Sequence, residues 1–126
     1  MLLCGMSFAQ DRAVQWVKSK DDVKRRCAYL LLYHLARDDK KLGDDFFEPL
    51  LDTIEKRLQK EENWAKDGMN AAFMRIGMRS RGLNRRALAV AKKIGKVEVD
   101  YGDDNSCEAP DVVKHLTSPA LKKKLR

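Results

Sequence analysis

A chain of 126 residues is long enough for one modest hydrophobic core and too short for two ordinary domains. Its 26 lysines and arginines exceed its 19 aspartates and glutamates, which gives a formal net charge of +7. The three cysteines form no CxxC pair, which argues against a disulfide framework or a zinc knuckle, and no apolar run approaches the length of a bilayer span. We expect a single cytoplasmic domain that binds an anionic partner.

The first predicted helix spans residues 21–37, where apolar residues recur at helical spacing. Ser19 is its predicted N-cap, paired with Asp22. Residues 10–18 ahead of it are interpreted as the tail of an earlier helix. The predicted inward stripe of the first helix consists of Val23, Cys27, Leu30, Leu31, His34 and Leu35.

Three more helices follow, with Gly43 before the first of them and a break at residues 81–82 before the last. They are predicted over residues 44–60, over residues 62–78, and from the break at residues 81–82 to Gly95. Their predicted inward residues are, in order, Phe46, Phe47, Leu50, Leu51, Ile54 and Leu58; Ala65, Gly68, Met69, Ala72, Phe73 and Ile76; and Leu83, Ala87, Val90, Ala91 and Ile94. Helix pairs at about residues 19–60 and 61–95 predict an all-α fold of HEAT-like helical repeats, a short α-solenoid.

The end of the chain alternates in charge. Residues 97–111 carry six carboxylates and no basic residue, so removing six from 19 acidic residues leaves 13 against 26 basic ones elsewhere, a charge of +13. The carboxylate spacing fits no calcium loop, and we expect residues 96–117, including a short helix that begins at Pro110, to cap the last helix pair. Neither a metal nor another cofactor is expected. The basic tail, residues 118–126, is predicted to fray.

Basic residues recur on the predicted helices away from the apolar stripes. The candidate DNA-binding residues are Arg25 and Arg26 on the first helix, Arg75 and Arg79 on the third, and Arg85, Arg86, Lys92 and Lys93 on the fourth. On stacked antiparallel helices they would form a positive track that suits a duplex backbone. One of the first two arginines must flank the buried stripe, where it either braces the helices through Asp22 or binds a phosphate.

The sequence offers no nucleophilic constellation. Acidic neighbours of Cys107 disfavour a thiolate, and neither His34 nor His115 has a sequence reason to lie beside it. We expect His34 in the core and Trp64 packed against the turn that precedes its helix rather than facing a base. Trp16 is expected either in the core or as the exposed remnant of a lost interface. No catalytic residue is assigned from these patterns.

Three segments resemble one protein family: DDVKRRCAYLLLYHLA, NWAKDGMNAAFMRIGMRS and AKKIGKVEVDYGDDNSCEAPDVVKHL. They are similar to the C-terminal part of the DNA alkylation repair family, the AlkD-like HEAT-repeat proteins, over nearly all of residues 14–116. The resemblance implies an all-α arc whose concave basic face grips duplex DNA. It also implies that active members excise positively charged alkylated purines, using aromatic side chains, an acidic residue and an arginine on the DNA backbone.

Most of that catalytic set has no counterpart in this sequence. The family arginine maps onto Arg25 or Arg26, but Ala71 stands where active members carry a tryptophan, and the helices with the family aspartate are not matched. We therefore predict an N-terminally truncated domain that binds duplex DNA without full alkylpurine glycosylase activity. Two alternatives are a scaffold for an acidic partner protein and a glycosylase completed by N-terminal helices or a second chain. A homodimer is also possible through the apolar N-terminal residues Leu2, Leu3, Met6 and Phe8.

Overall fold

Helices make up most of the chain in the computed structural model, which describes residues 10–102 and 109–125. They are α1 (Asp22–Asp38), α2 (Asp44–Arg57) with a 3-10 turn (Leu58–Lys60), α3 (Asn63–Gly77), α4 (Arg81–Ile94), α5 (Val112–Leu116) and α6 (Pro119–Lys124). Residues 10–16 form a further helical segment ahead of α1. Since the described residues include no strand, the predicted all-α class is confirmed.

The helices are arranged in two layers. α1 packs chiefly against α3 and α2 against α4, and α3 joins the layers by contacting α4. Small residues allow the close approach within the first layer: Ala65 is fully buried, and a Cβ added to Gly68 would lie 3.4 Å from the Cβ of Tyr29. This pairing of successive helix pairs is the HEAT-like arrangement that the sequence predicted.

The predicted inward faces of α2, α3 and α4 are confirmed. The largest fully buried side chains on these helices and the adjoining 3-10 turn are Phe47, Leu51, Leu58, Met69, Asn70, Phe73, Ile76 and Leu83. Phe46, Leu50 and Ile94 are only partly buried and pack against this core from its edge. Large apolar residues at helical spacing thus gave the correct orientation of three helices.

The predicted inward stripe of α1 is wrong at four of its six residues, whereas Leu35 is buried and Leu31 packs against the core as predicted. Val23 is 63% exposed and Leu30 is 37% exposed, and Cys27 and His34 are also exposed. The buried residues of α1 are Ala28, Tyr29, Leu32, Leu35 and Ala36, of which only Leu35 belongs to the predicted stripe. α1 is apolar on both sides, and the side with small residues faces α3 because two helices approach closely only where side chains are short. The other apolar side faces outward.

The N-cap of α1 also differs from the prediction. Asp21 is the N-cap, because its carboxylate accepts a hydrogen bond from the Val23 backbone N–H at 2.9 Å. The Ser19 hydroxyl accepts from the Asp21 N–H at 3.1 Å, and this hydrogen bond lies before the first residue of the helix. A carboxylate two residues before a free amide reaches it as readily as a serine does, so the spacing did not distinguish the two caps.

α4 begins earlier than predicted. Ser80 is its N-cap and accepts from the Leu83 N–H at 3.2 Å, so Gly82 lies within the first turn instead of breaking the chain. Its end is as predicted at Gly95, where φ is 81°. That left-handed conformation is readily adopted by glycine, which has no Cβ, and it terminates the helix.

The two C-terminal helices correct two further predictions. The N-cap of α5 is Asp111, which accepts from the Lys114 N–H at 3.1 Å, so Pro110 precedes the helix instead of starting it. The tail forms α6, capped by Ser118, where fraying was predicted. Leu121 is 5% exposed and Leu125 at the C-cap packs against the core, and this apolar burial stabilises the short basic helix.

The segment after α4 is fastened to the rest of the domain by side chains. The Gln59 amide donates to the carbonyl oxygen of Lys96 at 2.9 Å, and the Asn63 side chain exchanges two hydrogen bonds of 2.7 Å with the Asp100 backbone. Val97 packs against the core. Residues 103–108, which hold much of the predicted acidic cap, lie outside the described residues.

α5 closes the same end of the domain. Leu116 is fully buried and Val112 is 6% exposed, whereas Val113 is 36% exposed. A Cβ added to Gly77 would lie 2.6 Å from a Leu116 methyl group. Because glycine has no side chain, Leu116 of α5 can pack directly against α3 at this position. No helix in the described part of the chain is long and apolar enough to cross a membrane.

Candidate nucleic-acid interface

Arg25 braces α1 against the turn that precedes α3. Its Nε and Nη2 donate to the Glu61 carboxylate at 3.0 and 2.7 Å, and its Nη1 donates to the carbonyl oxygens of Ser19 and Lys20. The Tyr29 hydroxyl donates to the same carboxylate at 3.1 Å. The Arg25 and Glu61 side chains are only 12% and 5% exposed. The brace predicted for Arg25 thus exists, but its partner is Glu61 rather than the predicted Asp22.

The charge state of this cluster follows from its contacts. Burial alone would raise the pKa of Glu61, but the hydrogen bonds from Arg25, the Glu62 backbone N–H and Tyr29 hold it below its usual value. The hydrogen bond to Glu61 raises the pKa of Arg25, and burial beside the Glu61 charge raises the pKa of Tyr29 well above its usual value. At neutral pH Arg25 and Glu61 are therefore both ionised, and the neutral Tyr29 hydroxyl donates a hydrogen bond to Glu61.

Arg79 is also engaged within the protein. Its guanidinium donates to the carbonyl oxygen of Ala36 at 2.9 Å, to that of Leu42 at 2.6 Å, and to that of Asp39. It lies 4.7 Å from the centre of the Phe47 ring. The carbonyls of Ala36 and Asp39 lie at the end of α1 and that of Leu42 lies in the following loop, so Arg79 caps α1 from the turn after α3. The donors of Arg25 and Arg79 are thus used within the protein, which makes these two arginines weaker DNA-contact candidates than the sequence alone indicates.

The basic residues of α4 divide between two edges. Arg86 lies 2.6 Å from Asp52 and Lys93 lies 3.3 Å from Glu55, both ion pairs crossing from α4 to α2. Arg85 and Lys92, which are both exposed, share another edge of α4 because they are seven residues apart. The four candidate basic residues of α4 therefore lie on two edges, and acidic residues of α2 pair with one of these edges.

Arg26 and Arg75 lie against aromatic rings. The Arg26 guanidinium carbon is 5.8 Å from the centre of the Trp64 ring, and that of Arg75 is 5.8 Å from the centre of the Tyr33 ring. Trp64 is 49% exposed and meets Tyr101 edge-on at 6.0 Å, so the prediction that it packs against the preceding turn is wrong. A ring holds a cation without cancelling its charge, whereas a carboxylate cancels it.

Gly68 on α3 leaves room for the Arg26 side chain to reach the Trp64 ring. A Cβ added to Gly68 would lie 3.4 Å from the Arg26 Cγ, so the arginine stem crosses α3 at the glycine to reach Trp64. Ala71 lies seven residues after Trp64 and four before Arg75, which places it on the same side of α3. In residues 10–102 and 109–125, no ion pair joins Arg26 or Arg75 to a carboxylate.

These residues define a surface, called here the α1–α3 face. It consists of Val23, Arg26, Cys27, Leu30, Tyr33, His34 and Arg37 on α1 and of Trp64, Ala71 and Arg75 on α3. At its border, Trp16 is partly buried, and the Lys24 ammonium lies 5.9 Å from the centre of its ring. Arg37 pairs with the exposed Asp38 at 2.9 Å, so Arg26 and Arg75 are the stronger anion-binding candidates on this face.

Sequence reasoning named Arg26 and Arg75 but missed the residues that set their environment. Glu61, Tyr33 and Tyr101 carried no motif, since each acts on a residue of another element. The one usable signal was the adjacency of Arg25 and Arg26, because a helix must turn neighbouring side chains to different sides.

Within residues 10–102 and 109–125, no three side chains of His, Cys, Asp or Glu lie together as metal ligands would. The acidic residues at positions 103, 104 and 108 and Cys107 fall in the segment outside that range.

Comparison with known proteins relates the chain to one family. The family model described as "DNA alkylation repair enzyme" matches residues 5–101. An uncharacterized protein of Listeria innocua is 26% identical over 104 residues, which cover 82% of this chain and 44% of that protein. An uncharacterized protein of Listeria monocytogenes is 32% identical over 69 residues, which cover 55% of this chain and 30% of that protein. The matches span less than half the length of these relatives.

One solved structure shares the fold. It is described as "a new family of proteins related to the HEAT-like repeat DNA glycosylases with affinity for branched DNA structures". It superposes with a TM-score of 0.76 at 20% sequence identity, over 92% of this chain and 50% of its own. The likeness confirms the HEAT-like helical architecture.

Proposed function

The chain belongs to the DNA alkylation repair enzyme family, and from that premise we propose that it binds DNA through the α1–α3 face. The observation that carries the proposal is the placement of Arg26 and Arg75 on aromatic rings, in the described structure without a carboxylate partner. Such cations keep their charge for phosphates, and their binding releases counterions from DNA. The affinity for branched DNA that is stated for the solved relative agrees with a DNA partner.

The proposed contact set is smaller than the sequence prediction. Arg26 and Arg75 form its centre, and Arg85 and Lys92 on α4 are outlying candidates. Arg86 and Lys93 make weaker candidates, because a DNA phosphate would have to compete with Asp52 and Glu55 for them.

We further propose that this chain by itself does not excise alkylated purines. The resemblance to active members implies a tryptophan where this chain has Ala71, and Ala71 lies on the proposed binding face between Trp64 and Arg75. The methyl group of alanine has no ring surface with which to stabilise a cationic base or sugar. Incubation with alkylated DNA should release no alkylated purine above the background of buffer alone, and release at an enzymatic rate would refute this part.

Salt-dependent retardation of a duplex tests DNA binding. The wild-type chain should retard duplex DNA at low salt, and its affinity should fall steeply as salt rises. In the Arg26→Ala/Arg75→Ala variant, the slope of log affinity against log salt should decrease by about two, one for each lost phosphate contact. The matched control Arg86→Ala/Lys93→Ala removes the same charge from α4 and should change the slope much less.

Two outcomes would overturn the proposal. If the wild-type chain retards no duplex at low salt, DNA binding fails. If polyglutamate of equal charge competes as well as DNA does, the α1–α3 face recognises acidic polymers in general, and the alternative of a scaffold for an acidic protein is favoured.

A further inference from the structure

The α1–α3 face carries apolar side chains beside its cations, and phosphate binding does not use them. Val23, Cys27 and Leu30 follow one another at intervals of four and three residues, so they form one stripe along α1. All three are exposed, Val23 by 63%. Trp64, which is 49% exposed, lies across the Arg26 side chain from this stripe. A hydrated phosphate offers no apolar surface to cover these groups.

Unpaired DNA bases can cover the exposed apolar side chains of this surface. A base that leaves the stack exposes flat apolar faces, and proteins bind such bases on aromatic and apolar side chains while cations hold the neighbouring phosphates. Seven residues separate Val23 from Leu30, which is about 10 Å along a helix. At roughly 3.4 Å per stacked nucleotide, the stripe is long enough for about three bases.

We propose that the stripe of Val23, Cys27 and Leu30, together with Trp64, binds unpaired bases of DNA while Arg26 and Arg75 bind the adjoining phosphates. This inference rests on the proposed function and specifies its substrate class as DNA with a short unpaired segment. Arg26 lies between the stripe and the Trp64 ring, so one strand can place a phosphate and its bases on neighbouring groups.

A second copy of the chain fits this surface less well. Two α1–α3 faces brought together would oppose Arg26 and Arg75 of each copy, and like charges at a closed interface repel. DNA supplies the opposite charge and the apolar surface in one partner. Charge complementarity therefore favours DNA over self-association at this site.

Binding to DNA probes of matched length tests the inference. The probes are a fully paired duplex, the same duplex with a three-nucleotide bulge, and a three-way junction with every base paired. We expect the wild-type chain to bind the bulged duplex roughly tenfold more tightly than the paired one, the scale of one base–aromatic stacking contact. Val23→Ser/Leu30→Ser should lose that preference and keep its affinity for paired duplex.

The control for this variant is Val113→Ser on α5, because Val113 and Leu30 are exposed to nearly the same extent, 36% and 37%. This control should keep the preference for the bulge. Trp64→Ala should also lose the preference, whereas Trp64→Phe, which retains a ring, should keep most of it.

Cys27 gives a readout that leaves the stripe almost unaltered. In a background with Cys4 and Cys107 replaced by serine, the bulged duplex should slow maleimide labelling of Cys27 more than the paired duplex does at equal saturation. This measurement decides the matter even if the double serine variant does not fold.

Three results overturn the inference. Equal affinity for paired and bulged duplex, or equal Cys27 protection by both, refutes the base-binding stripe and leaves DNA binding intact. Tighter binding to the paired junction than to the bulge shows that branch shape is recognised instead. Failure to bind any DNA refutes the proposed function and this inference together.

Discussion

The two layers of the domain place their basic residues in different surroundings. In the α2–α4 layer, Arg86 and Lys93 reach across to carboxylates of α2. In the α1–α3 layer, Arg26 and Arg75 lie against tryptophan and tyrosine rings. Both layers look basic in the sequence, but on the α1–α3 face Arg26 and Arg75 keep their charge beside exposed apolar side chains. The number of basic residues thus does not locate a binding surface, whereas their partners do.

The layers also differ in what covers them. α5 packs against α3 and α4 and places Leu116 against Gly77, so the chain itself covers that end of the domain. The outer side of α1 carries Val23 and Leu30, which remain exposed. Closed and open surfaces should respond differently to substitution: changes at closed sites cost stability, and changes on the open face alter binding.

The largest stability difference should separate the buried brace from the exposed ion pair. Arg25→Ala should lower the free energy of unfolding by about 3–5 kcal/mol, because it leaves Glu61 charged and buried without its main partner. Arg86→Ala breaks a pair whose side chains are 43% and 54% exposed and should cost only about 0–1 kcal/mol. Urea unfolding followed by circular dichroism measures both. Similar small losses would show that Arg25 is not a brace.

A smaller loss is expected at the closed end. Gly77→Ala adds a Cβ 2.6 Å from a Leu116 methyl group and 2.9 Å from the Ala87 Cβ, and should cost about 1–3 kcal/mol through displacement of α5. Gly82→Ala is the matched control in α4, where the nearest atom would be an Asp44 carboxylate oxygen at 3.4 Å. Reduced chain entropy should make it stabilising by about 0.4–1 kcal/mol. Thermal unfolding of both variants checks the contrast, which fails if both substitutions shift stability in the same direction.

The smallest effect is a pH dependence. The folded pKa of Glu61 lies below its unfolded value, so its contribution to stability is present above the unfolded pKa and is lost as pH falls through the folded pKa. The pKa of an unperturbed glutamate is 4.5, so the loss should occur below about that pH. Glu61→Gln should lack this component. Urea unfolding at pH 7 and at pH 3 measures it, and an unchanged difference between wild type and variant at the two pH values would contradict it.

Sequence patterns predicted three helices well because their core residues are large and regularly spaced. Phe47, Leu51 and Phe73 leave little choice of inward side. α1 was misoriented because Val23, Cys27 and Leu30 repeat at helical spacing on one side, while the residues that are buried repeat at the same spacing on the other. Only the small residues of α3, a helix far along the chain, decide between the two sides, and single-helix periodicity holds no such information.

The candidate site was predictable in its residue types but not in its pairings. Arg25 and Glu61 are 36 residues apart, and nothing local to either residue indicates the other. The same holds for Arg26 and Trp64, which meet only because α1 packs on α3. Long-range packing therefore separates the bracing arginine from the binding arginine, although the two are adjacent in sequence.

Lysine acylation with and without DNA tests the central claim most directly, because each layer carries a suitable lysine. Lys24 lies beside Trp16 at the border of the α1–α3 face, and Lys93 lies on α4 beside Glu55. If DNA binds the α1–α3 face, saturating DNA should slow acylation of Lys24 severalfold and leave that of Lys93 nearly unchanged. Protection of Lys93 without protection of Lys24 would contradict the account and place DNA on the α2–α4 layer.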